Sequence, residues 1–177
     1  MKLINLQDYL LDNSRQYFEM VVYSVAGFFV PFLIGYPQIA VGIIVNTMLI
    51  VAALNLQGWK IAPIIILPSL AMLFRGALFG PFTIFLIYMI PLIWIGNFLL
   101  VLSFKYFKLR LKKNYWLTLV WGIFFKSGFL FLSAFVLYYF GLIPVVFLTA
   151  MGILQVVTGL FGGAAAYGLH KAKKMLS

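Results

Sequence analysis

Six long apolar runs limit what this sequence can fold into more than any other feature. A helix needs about 20 mostly apolar residues to cross a hydrocarbon core about 30 Å thick. The predicted spans are 18–35, 39–56, 61–79, 82–104, 115–140 and 144–169. We therefore predict an all-α integral membrane protein with six transmembrane helices.

The composition agrees with this fold class and leaves little sequence for anything else. Hydrophobic residues make up 65% of the chain and charged residues 9%, against about 45–50% and about 25% in soluble domains. We expect residues 1–177 to form a single six-helix transmembrane domain with no soluble domain appended. The start, "MKLINLQDYLLDNSRQ", lacks the apolar core and cleavage site of a signal peptide. Residues 3–17 instead predict a short amphipathic helix in the membrane interface.

The basic residues predict the orientation, because cytoplasmic loops carry the excess of lysine and arginine. With "KYFKLRLKK" (105–113) and "HKAKK" (170–174) inside, both the N and C termini are cytoplasmic in a multi-pass plasma membrane protein. The basic residues on the cytoplasmic side are then Lys2, Arg15, Lys60, Lys105, Lys108, Arg110, Lys112, Lys113, Lys171, Lys173 and Lys174. This bias and the attraction of anionic membrane lipids explain the net charge of +10, so no nucleic-acid partner is predicted.

Several kinds of chemistry are excluded by residues that the predicted spans lack. The chain has no cysteine, and its three acids, Asp8, Asp12 and Glu19, all precede residue 20. Its one histidine, His170, lies in the basic tail. Carboxylate acid–base catalysis, proton relays and metal sites at membrane depth need such side chains. We therefore predict no catalytic residue, no cofactor and no metal site, and we do not expect an enzyme.

Two cations, Lys126 and Arg75, fall at membrane depth. An isolated cation near the bilayer centre costs about 2.5–3.5 kcal/mol, and no carboxylate lies in the spans to pair with Lys126. Backbone carbonyls freed by prolines in the third and fourth spans could compensate it. An anionic ligand in a cavity open to the outside could equally satisfy both cations. Arg75, in the outer third of its span, could instead reach the outer headgroups.

Amide and aromatic side chains at the same depth extend this candidate site. Asn46 and Gln155 lie near the middle of the second and sixth spans, and Asn97 lies toward the cytoplasmic end of the fourth. Such amides bond neighbouring helices or contact a ligand. Tyr88 and Trp94 could stack on a flat ligand or face lipid. The candidate substrate-binding residues are Lys126, Arg75, Asn46, Gln155, Asn97, Tyr88 and Trp94.

Small residues on one face of the sixth span predict a close helix contact. Gly152, Gly159 and Gly163 recur at helical spacing, and the last two form a GxxxG pair. Such a face packs either inside the chain or against another subunit.

Three stretches resemble the substrate-binding (S) component of energy-coupling factor (ECF) vitamin transporters. "LPSLAMLFRGALFGPF" (67–82) is similar to the proline- and glycine-rich third helix of that family, which ends in a GP turn. "GIFFKSGFLFL" (122–132) resembles its fifth helix with a G-x-x-x-K pattern, and "TAMGILQVVTGLFGGAAAYGL" (149–169) its last helix. The first helix, "VVYSVAGFFVPF" (21–32), departs from the family's AxxxA docking motif.

The resemblance implies a subunit without activity of its own that captures a small nutrient from outside. A transmembrane coupling protein and two ATPase subunits would drive release of that substrate. Arg75, Lys126, Asn46 and Gln155 would then be ligand contacts, and two cations without a counter-carboxylate favour an anionic substrate. The partner-docking residues implied on the first and last helices are Ser24, Gly27, Gly152, Gly159 and Gly163.

Two other functions remain open from the sequence. A non-transport anchor or scaffold subunit of a larger complex would pair Lys126 with a carboxylate of another chain. A self-sufficient channel or small transporter is disfavoured, because proton or sodium coupling usually uses intramembrane carboxylates.

Overall fold

The computed structural model describes residues 3–8, 11–34, 37–75 and 84–176. Within these ranges six helical segments are long and apolar enough to cross a membrane, which confirms the predicted all-α fold with six spans. The predicted end of the third span at 79 and start of the fourth at 82 lie outside the described residues. The α-helices are α1 (Asn13–Ile34), α2 (Gln38–Asn55), α3 (Ala62–Arg75), α4 (Leu86–Ser103), α5 (Tyr115–Tyr139), α6 (Val146–Met151) and α7 (Ile153–Leu176).

Three of the six spans contain a short irregular element. A 3₁₀-helix, Gly58–Ile61, leads into α3, and a π-helix, Phe104–Arg110, prolongs α4. The sixth span consists of α6 and α7 and is interrupted at Gly152, whose φ of −98° and ψ of −101° are not helical. The sequence predicts one continuous helix there, and the structure corrects that prediction.

Helix α2 lies at the centre of the bundle and packs most extensively on α7. All residues of 49–56 are buried. The contact with α7 is close because small residues face each other across it. A Cβ atom added to Gly162 would lie 2.8 Å from the carbonyl oxygen of Ile43, and one added to Gly42 would lie 2.7 Å from Cγ2 of Thr158. Glycine is therefore needed where the two backbones meet.

Helix α1 lies at the edge of the bundle, packed mainly on α3. It begins after Asp12, whose Oδ1 accepts a hydrogen bond from the backbone N–H of Arg15 at 3.1 Å, an N-cap. Phe18, Val25 and Phe29 on its other side are exposed, as expected for side chains that face lipid.

Both ends of the described chain meet on one face of the bundle, which we call the terminal face. His170 Nε2 lies 2.8 Å from Asp8 Oδ2, and Lys173 forms an ion pair with Glu19. These contacts join the segment before α1 to the end of α7. A chain that crosses a membrane six times returns to the side on which it began, so the two ends are expected on the same face.

The interfacial helix predicted over residues 3–17 is wrong. Residues 3–5 form a turn, and α1 starts only at Asn13. Ile4 and Leu6 pack against the hydrophobic core rather than on the membrane surface. The backbone follows them inward, because Asp8 N–H donates to Leu54 O at 2.9 Å and Gly58 N–H to Ile4 O at 3.2 Å.

Lys105 in the π-helix holds this N-terminal segment in place. Its side chain is fully buried and donates to the carbonyl oxygens of Leu6 and, at 2.7 Å, Leu56. Neither carbonyl belongs to a helix interior, so each has a free lone pair for the ammonium group. The sequence places Lys105 among the basic residues of the cytoplasmic side, and the structure shows that its side chain is an internal cross-link.

Candidate functional site

A cavity of about 100 Å³ lies inside the bundle, in the half farther from the terminal face. It is bounded by the first residues of α2 and α4, Gln38 and Leu86, and by Met151 beside the break between α6 and α7. We call it the central cavity. Its lining residues are Gln38, Val41, Gly42, Val45, Asn46, Pro68, Ser69, Met72, Leu86, Ile93, Asn97, Lys126, Met151 and Gln155.

Lys126 is the one charged residue among the described residues that line the central cavity. Its side chain is buried, with the residue 4% exposed. Its Nζ donates to Asn46 Oδ1 at 2.6 Å, and Asn46 Nδ2 donates to Thr158 Oγ1 at 3.1 Å. The hydroxyl of Thr158 in turn donates to Leu154 O at 2.7 Å. This chain of hydrogen bonds joins α5 to α2 and α7 and fixes the orientation of the Asn46 amide.

The ammonium group of Lys126 keeps hydrogen-bonding capacity toward the cavity. An ammonium group has three donors, and within the described part of the chain the Lys126 group donates to one acceptor, Asn46 Oδ1. The proline-freed carbonyls considered from the sequence are not among its partners there. An acceptor that entered the cavity beside Lys126 would therefore find a hydrogen-bond donor.

Ser69 on α3 and Asn97 on α4 also line the cavity. Asn97 Nδ2 donates to Ile65 O at 3.1 Å. Trp94, one turn earlier on α4, donates from Nε1 to Ser69 Oγ at 2.8 Å, and Ser69 donates to Ile66 O at 2.9 Å. Trp94 itself does not line the cavity. Its indole N–H instead holds the hydroxyl group of Ser69, which does line it.

Gln155 lies at the start of α7, just after the break at Gly152. Its Nε2 makes a long hydrogen bond of 3.4 Å to Ala150 O across the break. A Cβ atom on Gly152 would lie 2.8 Å from Leu148 O and 2.9 Å from Cδ2 of Phe131, so glycine suits the tight backbone there. Broken helices at membrane depth are tolerated where they line a cavity.

Arg75 lies outside the central cavity, which corrects the expectation that it contacts a ligand there. Its Nη1 donates to the carbonyl oxygens of Phe32 and Leu33. These belong to the last turn of α1, where carbonyls lack helical partners and the helix dipole favours a cation. Arg75 therefore caps α1.

Replacing Arg75 by methionine is expected to destabilise the end of α1 and leave the central cavity intact. The loss is about 1 kcal/mol, because the freed carbonyls lie near the membrane surface and regain other partners. Hydrogen–deuterium exchange should rise at residues 32–34 and stay unchanged around Asn46. Faster exchange at Asn46 would contradict a local capping role.

Tyr88 also lies away from the cavity, and its predicted ligand contact is corrected in the same way. The residue is 52% exposed on the outside of α4, where aromatic side chains commonly meet lipid headgroups. From the sequence alone, an aromatic residue on α4 that faces lipid cannot be told from one that faces the inside of the bundle.

The residues expected to dock a partner are turned into the chain itself. A Cβ atom on Gly159 would lie 2.9 Å from Ile123 Cγ1, and one on Gly163 would overlap Leu119, so both glycines pack α7 on α5. Gly152 faces Phe131, and Gly27 faces Pro68 at 3.6 Å. The hydroxyl oxygen of Ser24 is buried as well. The small residues thus make internal helix contacts rather than a docking surface.

Thr158, Ser69 and Gln38 belong to the site but were not predicted from the sequence. Thr158 follows Gln155 by three residues and therefore shares its helix face, which is the one signal that could have revealed it. Ser69 and Gln38 carry no such signal. Among the described residues no group of three or more His, Cys, Asp or Glu side chains could hold a metal ion.

No protein-family model, curated protein or solved structure matches this chain.

Proposed function

We propose that the chain is the membrane-embedded substrate-binding subunit of an ECF-type importer, with the central cavity as its binding site. One observation carries the proposal. Lys126, Asn46, Asn97 and Gln155, from four different spans, line a single cavity in which no described residue is acidic. A small anionic nutrient is the ligand that such a cavity stabilises best. A coupling protein and two ATPase subunits would drive its release, as the sequence resemblance implies.

The preference for an anion follows from the cost of the buried ammonium group. A lysine at membrane depth needs a counter-charge or several acceptors. Asn46 Oδ1 supplies one neutral acceptor, and an anion would supply the rest. Charge-assisted hydrogen bonds are about twice as strong as neutral ones and gain further in a medium of low dielectric constant.

The proposed orientation places the terminal face in the cytoplasm and the central cavity toward the outside. The described part of the chain supports it, because the basic residues other than Arg75 and Lys126 belong to segments at or near the terminal face. Positive residues concentrate on the cytoplasmic side of membrane proteins. The plasma membrane is then the membrane in which capture of an external nutrient makes sense.

The scaffold alternative is less well supported by the surroundings of Lys126. A carboxylate of another subunit would have to approach from the lipid side, yet Lys126 is only 4% exposed. Its ammonium group is also already engaged with Asn46 inside the chain. A catalytic role has no support either, because the cavity lining among the described residues contains no histidine or carboxylate to activate Ser69.

Gentle purification from the native host, followed by mass spectrometry of proteins and small molecules, tests the proposal. We expect two ATPases, one transmembrane coupling protein and a near-stoichiometric small acid. The acid should be absent when Lys126 is replaced by methionine. A different set of membrane subunits with no small acid would contradict an importer subunit and favour the scaffold function.

A further inference from the structure

A second hollow, which shares no described lining residue with the central cavity, lies between α1 and α7 on the outside of the bundle. Both helices pack on α2, which forms its floor. Leu169 is 57% exposed, whereas Val51 is buried, so the hollow is a groove that opens toward the lipid. We call it the α1–α7 groove. Its lining residues are Tyr23 of α1, Thr47, Met48 and Val51 of α2, and Leu169 and Lys173 of α7.

The lining of the α1–α7 groove is apolar away from the terminal face and charged beside it. Met48, Val51 and Leu169 have hydrocarbon or thioether side chains. The hydroxyl group of Thr47 is bonded to backbone carbonyl oxygens at 2.8 and 3.1 Å, so it needs no partner in the groove. Lys173 lies one helical turn beyond Leu169, about 6 Å closer to the terminal face. A phospholipid has the same order of polarity, with its phosphate at the membrane surface and its acyl chains toward the bilayer centre.

Lys173 keeps one hydrogen-bond donor for a group outside the described chain. Its ammonium group donates to Glu19 Oε1 and, at 3.2 Å, to Tyr23 Oη, and such a group has three donors. The Lys173 side chain is 34% exposed. The other carboxylate oxygen of Glu19 accepts from Tyr23 Oη at 3.1 Å and from Asn55 Nδ2 at 3.4 Å. The carboxylate therefore stays hydrogen-bonded when Lys173 shares its positive charge with a second anion.

We propose that the α1–α7 groove binds one anionic phospholipid from the leaflet at the terminal face. An acyl chain lies along Met48, Val51 and Leu169, and a phosphate oxygen accepts a hydrogen bond from Lys173. Such charge-assisted hydrogen bonds are about twice as strong as neutral ones. The site does not depend on the proposed importer function, because it shares no described lining residue with the central cavity.

The charge of the terminal face favours an anionic over a zwitterionic lipid. Among the described residues, the segments at this face carry more lysine and arginine than aspartate and glutamate. Glu19 therefore balances Lys173 locally, but the surface around the groove stays positive and attracts anionic headgroups. A phosphatidylcholine headgroup would instead bring its own quaternary ammonium group close to Lys173.

Native mass spectrometry of the purified protein tests the proposal. The protein is released from nanodiscs that contain equal amounts of phosphatidylglycerol and phosphatidylcholine with the same acyl chains. We expect one phosphatidylglycerol molecule per chain to stay bound after the other lipids have dissociated. Its retention should exceed that of phosphatidylcholine about tenfold, as expected for a hydrogen bond to a charged group.

Three variants separate direct contact from general attraction. Lys173→Met should lower retention of phosphatidylglycerol to that of phosphatidylcholine. Lys171→Met removes the same charge from the same helix, but Lys171 is exposed and outside the groove lining, so most of the retention should remain. Leu169→Trp keeps Lys173 and its pairing with Glu19, yet its larger side chain fills the groove and should expel the lipid. This variant keeps the test decisive if Lys173→Met fails to fold.

Three results would overturn the proposal. The first is equal retention of the two lipids by the wild-type protein, which would mean general lipid contact only. The second is unchanged retention of phosphatidylglycerol in both Lys173→Met and Leu169→Trp, which would place the lipid elsewhere. The third is a second copy of the chain or a co-purified subunit that stays bound in place of the lipid, which would make the groove a helix-docking surface.

Discussion

Replacing Lys126 by methionine should abolish most anion binding while the protein stays folded. A hydrogen bond to a charged group contributes about 1.5–3 kcal/mol, which corresponds to a loss of affinity of about 10- to 150-fold. Methionine has nearly the same length and is apolar, so the helix packing around residue 126 is retained. The variant also removes a buried cation from the membrane-spanning part of the protein.

Stability is expected to change little in this variant, because two effects oppose each other. Loss of the Lys126 donor leaves Asn46 Oδ1 without its partner, at a cost of about 1–3 kcal/mol. Loss of an ammonium group at membrane depth returns about 2.5–3.5 kcal/mol. A protein that binds no anion but unfolds near the wild-type temperature would fit a binding lysine. A structural lysine would give the reverse result, with unchanged binding and a large fall in unfolding temperature.

The same substitution at Lys113 provides the matched control. Lys113 is exposed in the connection between the π-helix and α5, outside the central cavity. Lys113→Met should therefore leave affinity and unfolding temperature unchanged. Lys126→Gln separates charge from hydrogen bonding, because glutamine keeps a donor for Asn46 without the positive charge. Wild-type affinity in both Lys126 variants would exclude the proposed anion site.

Hydropathy predicts where the spans lie, because each segment that crosses the lipid must itself be apolar, whatever the other segments contain. The starts of α2 at Gln38 and α5 at Tyr115 fall within one residue of the predicted positions. The break at Gly152 could not be predicted in this way, because apolar composition continues through it. The course of residues 3–8 depends on Lys105, a contact across about a hundred residues, which no local pattern reveals.

The candidate site was predictable in its chemistry but not in its geometry. Lys126, Asn46, Asn97 and Gln155 stand out because polar side chains are rare at membrane depth, and the structure brings them to one cavity. Arg75 stands out for the same reason, yet it caps α1. The difference depends on which face of each helix turns inward, and that is set by packing between helices. The same holds for Gly159 and Gly163 of α7. A face of small residues predicts close packing, but it does not show whether the partner is a helix of the same chain or another subunit.

Gly162 offers the largest expected effect on stability. A Cβ atom at this position would lie 2.8 Å from the carbonyl oxygen of Ile43 and 3.1 Å from the backbone nitrogen of Thr47. Because these are backbone atoms of the central helix α2, they cannot rotate aside as a side chain would. Gly162→Ala must therefore push α7 away from α2 and disturb the hydrogen bond from Thr47 to Gly162 O, 3.1 Å long in the wild-type protein. We expect a loss of about 1–3 kcal/mol.

Gly168→Ala is the matched control for this prediction, since it makes the same change in the same helix. A Cβ atom at Gly168 meets nothing within 4 Å, and alanine favours helix over glycine by about 1 kcal/mol. This variant should be as stable as the wild-type protein or slightly more so. Thermal unfolding of both variants in the same detergent measures the difference directly. If the two alanine variants unfolded at the same temperature, α7 would not pack on α2 as closely as the structure has it. The hydrogen bond from Asn46 to Thr158, which positions the acceptor of Lys126, would then lose its structural basis.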